Sequence, residues 1–361
     1  MKSVCRRRAW VSLHLWGLFA APVFSQAHFR EWFPQYRENF TSIMRNNCSS
    51  VYQDYVTGNT RGATGKSATS RPVVACVLAA VDEAGKANLA SAGVVLGLLP
   101  SMLSITSSMT NEVGLIALRR PVLALLLAVG TPSANALRTF EQPEPAHLFL
   151  EPSPFRVLYP PHLSPRFQII VSAIQYLIGI GAVTNLAEVS YEVCIRTNVS
   201  WATETTYLPA LWALLTMVIH VLGTTAMHLR IKVVNQSLSD TVRSECVKFC
   251  PRWLEQELVP SISQPIEKIE TRRTTWWFLI ASWGASIATF WQIIFGTCIF
   301  SGILFISTQD AWMVFARYWV SALCCRLIVM FEFNGMKVSL AMNGDNGTRG
   351  IRMEPQHGQH R

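Results

Sequence analysis

The sequence has little charge. Asp, Glu, Lys and Arg make up 15% of the 361 residues, against about 25% in a typical soluble domain. Half of the residues are apolar and 12 are Trp, which excludes a disordered chain, because disorder requires much charge and few aromatic residues. The low charge also argues against an ordinary soluble enzyme, provided that the apolar residues stand in long runs.

Four long stretches contain no charged residue. Each is long enough to cross a hydrocarbon core of about 30 Å as a helix, in which the backbone groups are satisfied without water. The four stretches are Leu89 to Asn111, Phe167 to Ala187, Thr205 to Leu229 and Thr274 to Gln309. The sequence therefore predicts an all-α helical transmembrane bundle, with the lipid bilayer as its partner.

A fifth span is predicted from Trp312 to Phe331, although this stretch contains the charged residues Arg317 and Arg326. Arginines inside a membrane either extend to an interface or pair with acids, for which Glu188 and Glu332 are the candidates. A role of the two arginines in transport is the alternative. With this stretch the bundle has about five spans.

Two apolar stretches have unusual lengths. The residues from Pro121 to Leu137 are short for a span and are interrupted by Pro132, so we predict a short re-entrant or interfacial segment. The stretch 274–309 is too long for one upright helix. We expect one long helix, tilted or broken near Gly296 or Gly302, with a hairpin of two short passes as the alternative.

The pattern of charge and polarity divides the chain into four parts. Residues 1–27 are predicted to be a signal peptide, with a basic start, an apolar centre and Ser25-Gln26-Ala27 at the end; an uncleaved signal anchor is the alternative. Residues 28–87 form a small extracytoplasmic segment with a flexible linker from Thr57 to Arg71. Residues 88–333 form the membrane bundle, with a cytoplasmic loop at 230–275 made of short helices. Residues 334–361 are predicted to be a disordered cytoplasmic tail.

The predicted outer parts contain modification sites. Asn39, Asn47 and Asn198 begin N-glycosylation motifs. Cys48 and Cys76 flank the linker and are candidates for a disulfide in an oxidising compartment. Cys194 is a third candidate, so the pairing stays open.

No arrangement of residues that indicates catalysis, cofactor binding or a metal site is found in the sequence. Cys246 and Cys250 have the spacing of two metal ligands, but nothing nearby completes a set of four. The basic residues are not interleaved with aromatic residues on a soluble face, so we expect no nucleic-acid partner. Protein partners are not indicated.

Three functions fit these observations. The first, which we expect, is a non-enzymatic role in sensing or as a scaffold or adaptor, and the other two are its alternatives. The second is a small transporter or channel. The third is a membrane enzyme acting on lipids, with His220, His228 or Glu112 as acid–base groups. The signal peptide predicts a membrane of the secretory route, and we expect the plasma membrane.

Two sets of short stretches in the chain are recognisable. The first set is Ala87 to Pro100 with Asn111-Glu112, Leu118 to Pro121 and Leu125 to Pro132. The second set is Ile294 to Thr297 with Leu304 to Ser307, Arg317-Tyr318 and Arg326. Together they resemble a family of uncharacterised multi-pass membrane proteins of filamentous fungi, over about residues 45–340. The resemblance implies a secretory N-terminus, a short outer segment with cysteines and a helical membrane core, and it implies no activity or binding residues.

Glycan mapping tests the predicted topology. Basic residues follow or precede the spans on the predicted cytoplasmic side, as at Arg119, Arg120, Arg272 and Arg273. We therefore expect a glycan on Asn198 and none on Asn346, measured by a shift in gel mobility after endoglycosidase treatment of Asn→Gln variants. A glycan on Asn346 would contradict the topology.

Overall fold

The computed structural model describes residues 29–58, 67–136, 165–235, 257–263, 266–344 and 351–352. The predicted all-α helical bundle is confirmed. The signal peptide, Cys246 and Cys250 lie outside the described residues. The helices are α1 (Arg37–Asn46), α2 (Ser49–Thr57), α3 (Ser67–Ala80), α4 (Glu83–Thr106), α5 (Thr110–Ala117), α6 (Pro121–Gly130), α7 (Pro165–Arg196), α8 (Leu208–Arg230), α9 (Trp276–Ser301) and α10 (Thr308–Gly344).

Five helices, α4, α7, α8, α9 and α10, are long and apolar enough to cross a membrane. They carry large apolar side chains on their outward faces, such as Leu177 and Trp291, which are 69% and 61% exposed. A water-soluble protein rarely exposes so many, whereas a bilayer covers such a surface. The chain is thus a multi-pass membrane protein.

One end of the bundle carries a small module made of α1, α2 and α3. Cys48 and Cys76 are joined by a disulfide, and a buried aromatic cluster lies beneath it. Phe305 enters this cluster from the loop between α9 and α10 and contacts the rings of Phe29, Trp32 and Phe40. Its φ of 68° is unusual for a bulky residue. The buried ring contacts hold the loop in this strained conformation.

The segments predicted to lie outside gather at this same end. The loop after α7 contains β1 (Asn198–Val199), which pairs with β4 (Ile303–Leu304). Arg196 lies 3.6 Å from Glu31, and the hydroxyls of Ser70 and Thr203 are 2.8 Å apart. The module of α1 to α3, which we name the outer module after its predicted side, therefore packs on the connections between the long helices at this outer end and forms no separate unit.

The opposite end, which we name the inner end after its predicted cytoplasmic side, contains short strands that the sequence did not predict. β2 (Ile231–Asn235) continues directly from α8 and pairs with β3 (Ile266–Thr271), so this part of the 230–275 loop is a sheet and not short helices. β5 (Ile351–Arg352) runs parallel to β3. The ends of the loop are brought together by α8 and α9, which are antiparallel neighbours.

The stretch 274–309 contains one long helix, as expected, which ends at Ser301 next to Gly302, and the following residues turn through β4 into α10. Two other predicted boundaries differ from the structure. α10 continues to Gly344, eleven residues into the predicted disordered tail; its buried side chains, such as Met336 and Leu340, pack in the core and stabilise the extension. α3 begins at Ser67, inside the predicted linker.

We expect Phe305→Ala to destabilise the protein by about 3–5 kcal/mol, because it removes a fully buried ring from the aromatic cluster. Thermal unfolding of the purified protein in detergent measures the loss. Phe290→Ala is the matched control, since Phe290 is 52% exposed on α9. Equal melting temperatures for the two variants would show that the outer module does not depend on Phe305.

Candidate functional site at a helix break

The first long helix is interrupted between α4 and α5. Ser107 has an extended backbone and ends α4, and Met109 is extended before α5. The surrounding sequence is rich in Ser and Thr, whose hydroxyls compete for backbone carbonyls; Thr106 donates to the carbonyl of Met102 at 3.2 Å. The stretch is charge-free, yet its local chemistry favours a break over a continuous helix.

The break lies about halfway along the bundle. Gly97 of α4 lies against Ser301 at the outer end of α9, and Pro100 lies against Gly296. Gly296 also faces the Trp212 indole so closely that a Cβ would not fit. Six residues further on, at 1.5 Å per residue, α4 ends beside the middle of α9. Beyond this level the chain continues as α5, whose Gly114 lies against Met227 of α8.

The short helix α6 rises from the inner end and stops at this level. Residues 131–136 follow α6, and Asn135 closes the end of α4. The Asn135 side-chain amide donates to the carbonyl of Ser107 at 3.0 Å and to that of Ile105 at 3.3 Å, while its backbone N–H donates to Ser108 at 3.2 Å. The predicted re-entrant segment is therefore a half-length helix that meets the break.

Two polar side chains from other helices reach the same place. Thr216 of α8 donates its hydroxyl to the carbonyl of Pro132 at 2.7 Å. Gln292 of α9 donates its amide to the same carbonyl at 3.2 Å, to the carbonyl of Trp212 at 3.1 Å, and to the Thr216 hydroxyl. Both side chains are buried. The break is thus lined by polar groups from α4, α6, α8 and α9.

His220 belongs to this polar surface. It lies on the same stripe of α8 as Thr216 and Gly223, at spacings of four and three residues. Thr216 contacts Pro132, and Gly223 lies against Thr110 at the start of α5. His220 is therefore held between these two contacts, facing the break, and is 2% exposed.

Several polar atoms at the break have no hydrogen-bond partner among the residues that the structure describes. They are Oγ of Ser107, Oγ of Ser108, both ring nitrogens of His220 and Oε1 of Gln292. A buried polar atom without a partner costs about 1–3 kcal/mol, and each one calls for a cause such as a bound molecule. The four residues converge from three elements on one place in the bundle. We name this group of four residues the polar break.

One of the predicted intramembrane arginines lies next to the polar break. Arg326 of α10 donates to Oε2 of Glu112, and the same oxygen accepts from the N–H of Met109 at 3.2 Å. Glu112 therefore caps the start of α5 and balances the charge of Arg326. The predicted acid partners of Arg326 were Glu188 and Glu332, so the pairing with Glu112 corrects that prediction.

The other predicted arginine lies towards the outer end. Arg317 donates to Glu188 and Glu192 at 2.9 Å each, and its Nε donates to Asn185 at 3.0 Å. The Glu188 side chain is 61% exposed. Because Glu188 follows the charge-free stretch of α7 directly, these charges lie at the rim of the bundle and away from the polar break.

Glu332 instead pairs with Arg120, for which the sequence predicts a position in a cytoplasmic loop. Both side chains are fully buried and 2.8 Å apart. Arg120 also donates to Gln175 at 2.6 Å, to Ser172 at 2.5 Å and to the carbonyl of Glu257 at 2.9 Å. No local signal reveals this pair, because its members are 212 positions apart. We name these five residues the inner network.

The inner network fixes the start of α6. Oε1 of Glu257 accepts from the N–H of Val122 at 2.8 Å, and its other oxygen accepts from the Tyr176 hydroxyl at 2.7 Å. A carboxylate at a helix N-terminus is favourable. Beside it, burial lowers the pKa of Arg119 to about 10, and the charge of Glu332 opposes that shift, so Arg119 stays charged at neutral pH.

The remaining predicted sites lie elsewhere. Asn39 and Asn47 are exposed on the outer module, and their modification stays a prediction. Asn198 is 2% exposed, and its modification also stays a prediction. His228 is exposed at the inner end of α8, apart from buried His220. Among the described residues no group of three metal-ligating side chains occurs.

Fold and site together define a multi-pass membrane protein with a discontinuous helix and a polar centre. Comparison with models of protein families, with curated proteins and with solved structures finds no match to this chain. The functional argument therefore depends on the residues of the polar break themselves.

We expect Arg120→Met to destabilise the protein by about 3–5 kcal/mol, because it leaves the Glu332 carboxylate buried without its cation. Arg120→Met/Glu332→Leu removes both charges and should recover much of that loss. Unfolding of the purified protein in detergent measures both effects.

Arg317→Met is the matched control for this cycle, because the Arg317 pairs are partly exposed and such pairs contribute about 0–1 kcal/mol. If the double variant is no more stable than Arg120→Met alone, the inner network is not organised around the ion pair.

Proposed function

We propose that this protein moves a small polar solute across its membrane and that the polar break is part of the solute's path. The observation that carries the proposal is the set of buried, unpartnered polar atoms at Ser107, Ser108, His220 and Gln292. In a hydrocarbon setting such atoms are costly unless something binds them. A passing solute supplies the missing hydrogen bonds.

The backbone at the polar break supports the same proposal. Irregular backbone at membrane depth is tolerated where it lies within protein or lines a polar cavity, and transporters place their substrates at such interruptions. Here α4 ends, α5 begins and α6 ends at one level of the bundle. The long helices around them supply side chains that hydrogen-bond across the gap, as Thr216 and Gln292 do.

Transport was the alternative to the sensing, scaffold or adaptor role expected from the sequence, and we propose it in place of that role. A sensing, scaffold or adaptor role needs only a well-packed apolar bundle and gives no reason for the unpartnered atoms. A lipid-acting enzyme needs an acid–base pair. In the described residues the Glu112 carboxylate is bound to Arg326 and to the start of α5, so we propose a non-enzymatic protein. The plasma membrane and the fungal family stay predictions from the sequence.

Reconstitution into liposomes tests the proposal. We expect vesicles that contain the full chain to equilibrate at least one of urea, glycerol or KCl faster than protein-free vesicles, measured by stopped-flow light scattering after an osmotic jump. Ser107→Ala/Ser108→Ala should slow that flux about tenfold, because it removes two hydroxyls that hydrogen-bond the solute.

Ser91→Ala is the matched control for this variant. Ser91 lies on α4, the helix that ends at Ser107, but Ser91 is exposed and its hydroxyl donates to the carbonyl of Ala87. Its flux should equal that of the unchanged protein. If vesicles with the unchanged protein equilibrate all three solutes at the protein-free rate, the proposed transport function is wrong.

A further inference from the structure

We infer that the polar break accepts an uncharged solute with several hydroxyl or amide groups, of the polyol or urea class, and that His220 contacts it. This inference depends on the proposed function and specifies its substrate class. It follows from the kinds of atom that lack partners and from the charges that surround them.

The unpartnered atoms are hydrogen-bonding groups without net charge. The hydroxyls of Ser107 and Ser108 each donate and accept, and Oε1 of Gln292 accepts. A neutral imidazole at His220 donates from one ring nitrogen and accepts at the other. This mixture of donors and acceptors matches a molecule that has both, as a polyol or urea does.

The charged side chains around the polar break are already balanced. No Asp, Glu, Lys or Arg occurs in the segments that face the polar break, which are 89–111, 121–136, 208–229 and 276–301. The charges near the polar break therefore come from α5 and α10. They are Glu112 and Arg326, which bind each other. Neither sign is left in excess to stabilise an ion that has lost its water.

The two charges also oppose ions of either sign. The start of α5 would attract an anion, but the Glu112 carboxylate occupies that position through the Met109 N–H. A cation drawn to Glu112 meets Arg326 on the same carboxylate oxygen. An uncharged solute is repelled by neither charge, and it forms hydrogen bonds with the unpartnered atoms.

His220→Leu tests the inference. The substitution removes both ring nitrogens from a buried position and adds no charge, so we expect a melting temperature no lower than that of the unchanged protein. We expect vesicles with the unchanged protein to take up erythritol and urea but neither K⁺ nor Cl⁻. His220→Leu should reduce erythritol uptake about tenfold.

Two further variants separate contact from packing. His220→Gln keeps a donor and an acceptor and should retain more uptake than His220→Leu. Thr225→Val is the matched control on α8, because Thr225 is exposed and its hydroxyl donates only within the helix, to Val221. Unchanged erythritol uptake in His220→Leu would remove His220 from the site.

The possible results distinguish the substrate class from the transport function. Flux of K⁺ or Cl⁻ without uptake of erythritol or urea would overturn the inference and leave transport standing. No flux at all, with erythritol raising the melting temperature of the unchanged protein but not of His220→Leu, would overturn transport and support the substrate class. Neither flux nor this stabilisation would overturn both.

Discussion

The fully buried ion pair between Arg120 and Glu332 is the contact on which the arrangement of the inner half depends. A buried cation is tolerable only where its donors are satisfied. The Arg120 guanidinium donates to side chains of α7 and α10 and to the backbone carbonyl of Glu257. Because Arg120 directly precedes α6, the pair fixes where that helix starts. The ten residues of α6 then bring its other end to the middle of the bundle.

The molecule thus contains two polar clusters of different character. In the inner network, the Arg120 guanidinium and the carboxylates of Glu257 and Glu332 have short hydrogen bonds, as expected of a cluster that holds elements in place. At the polar break, His220 is equally buried and its ring nitrogens have no partner among the described residues. Natural proteins rarely leave such atoms unsatisfied without a functional reason. We therefore assign a structural role to the paired polar groups of the inner network and a role in transport to the unpartnered groups of the polar break.

The outer end is stabilised differently from the two polar clusters. The module of α1 to α3 has little core of its own, and it gains one by enclosing Phe305 from the loop between α9 and α10. The disulfide Cys48–Cys76 lies over that cluster. Segments predicted to lie outside, far apart in the chain, meet here, while those predicted to lie inside meet around the inner network. This sorting to two ends agrees with a topology read from the positions of basic residues.

The sequence by itself determined the class of the protein and its long helices, because transfer of a charge-free helix into hydrocarbon depends on each residue separately and adds up along the chain. It also indicated that the stretch from Pro121 is too short for a full span. Only the tertiary structure decided which acid meets Arg326, that Arg120 is buried, that α10 extends to Gly344 and that His220 faces a helix break. Those features depend on pairs of residues distant in the chain, and a pair has no signature until the helices that carry it are packed together.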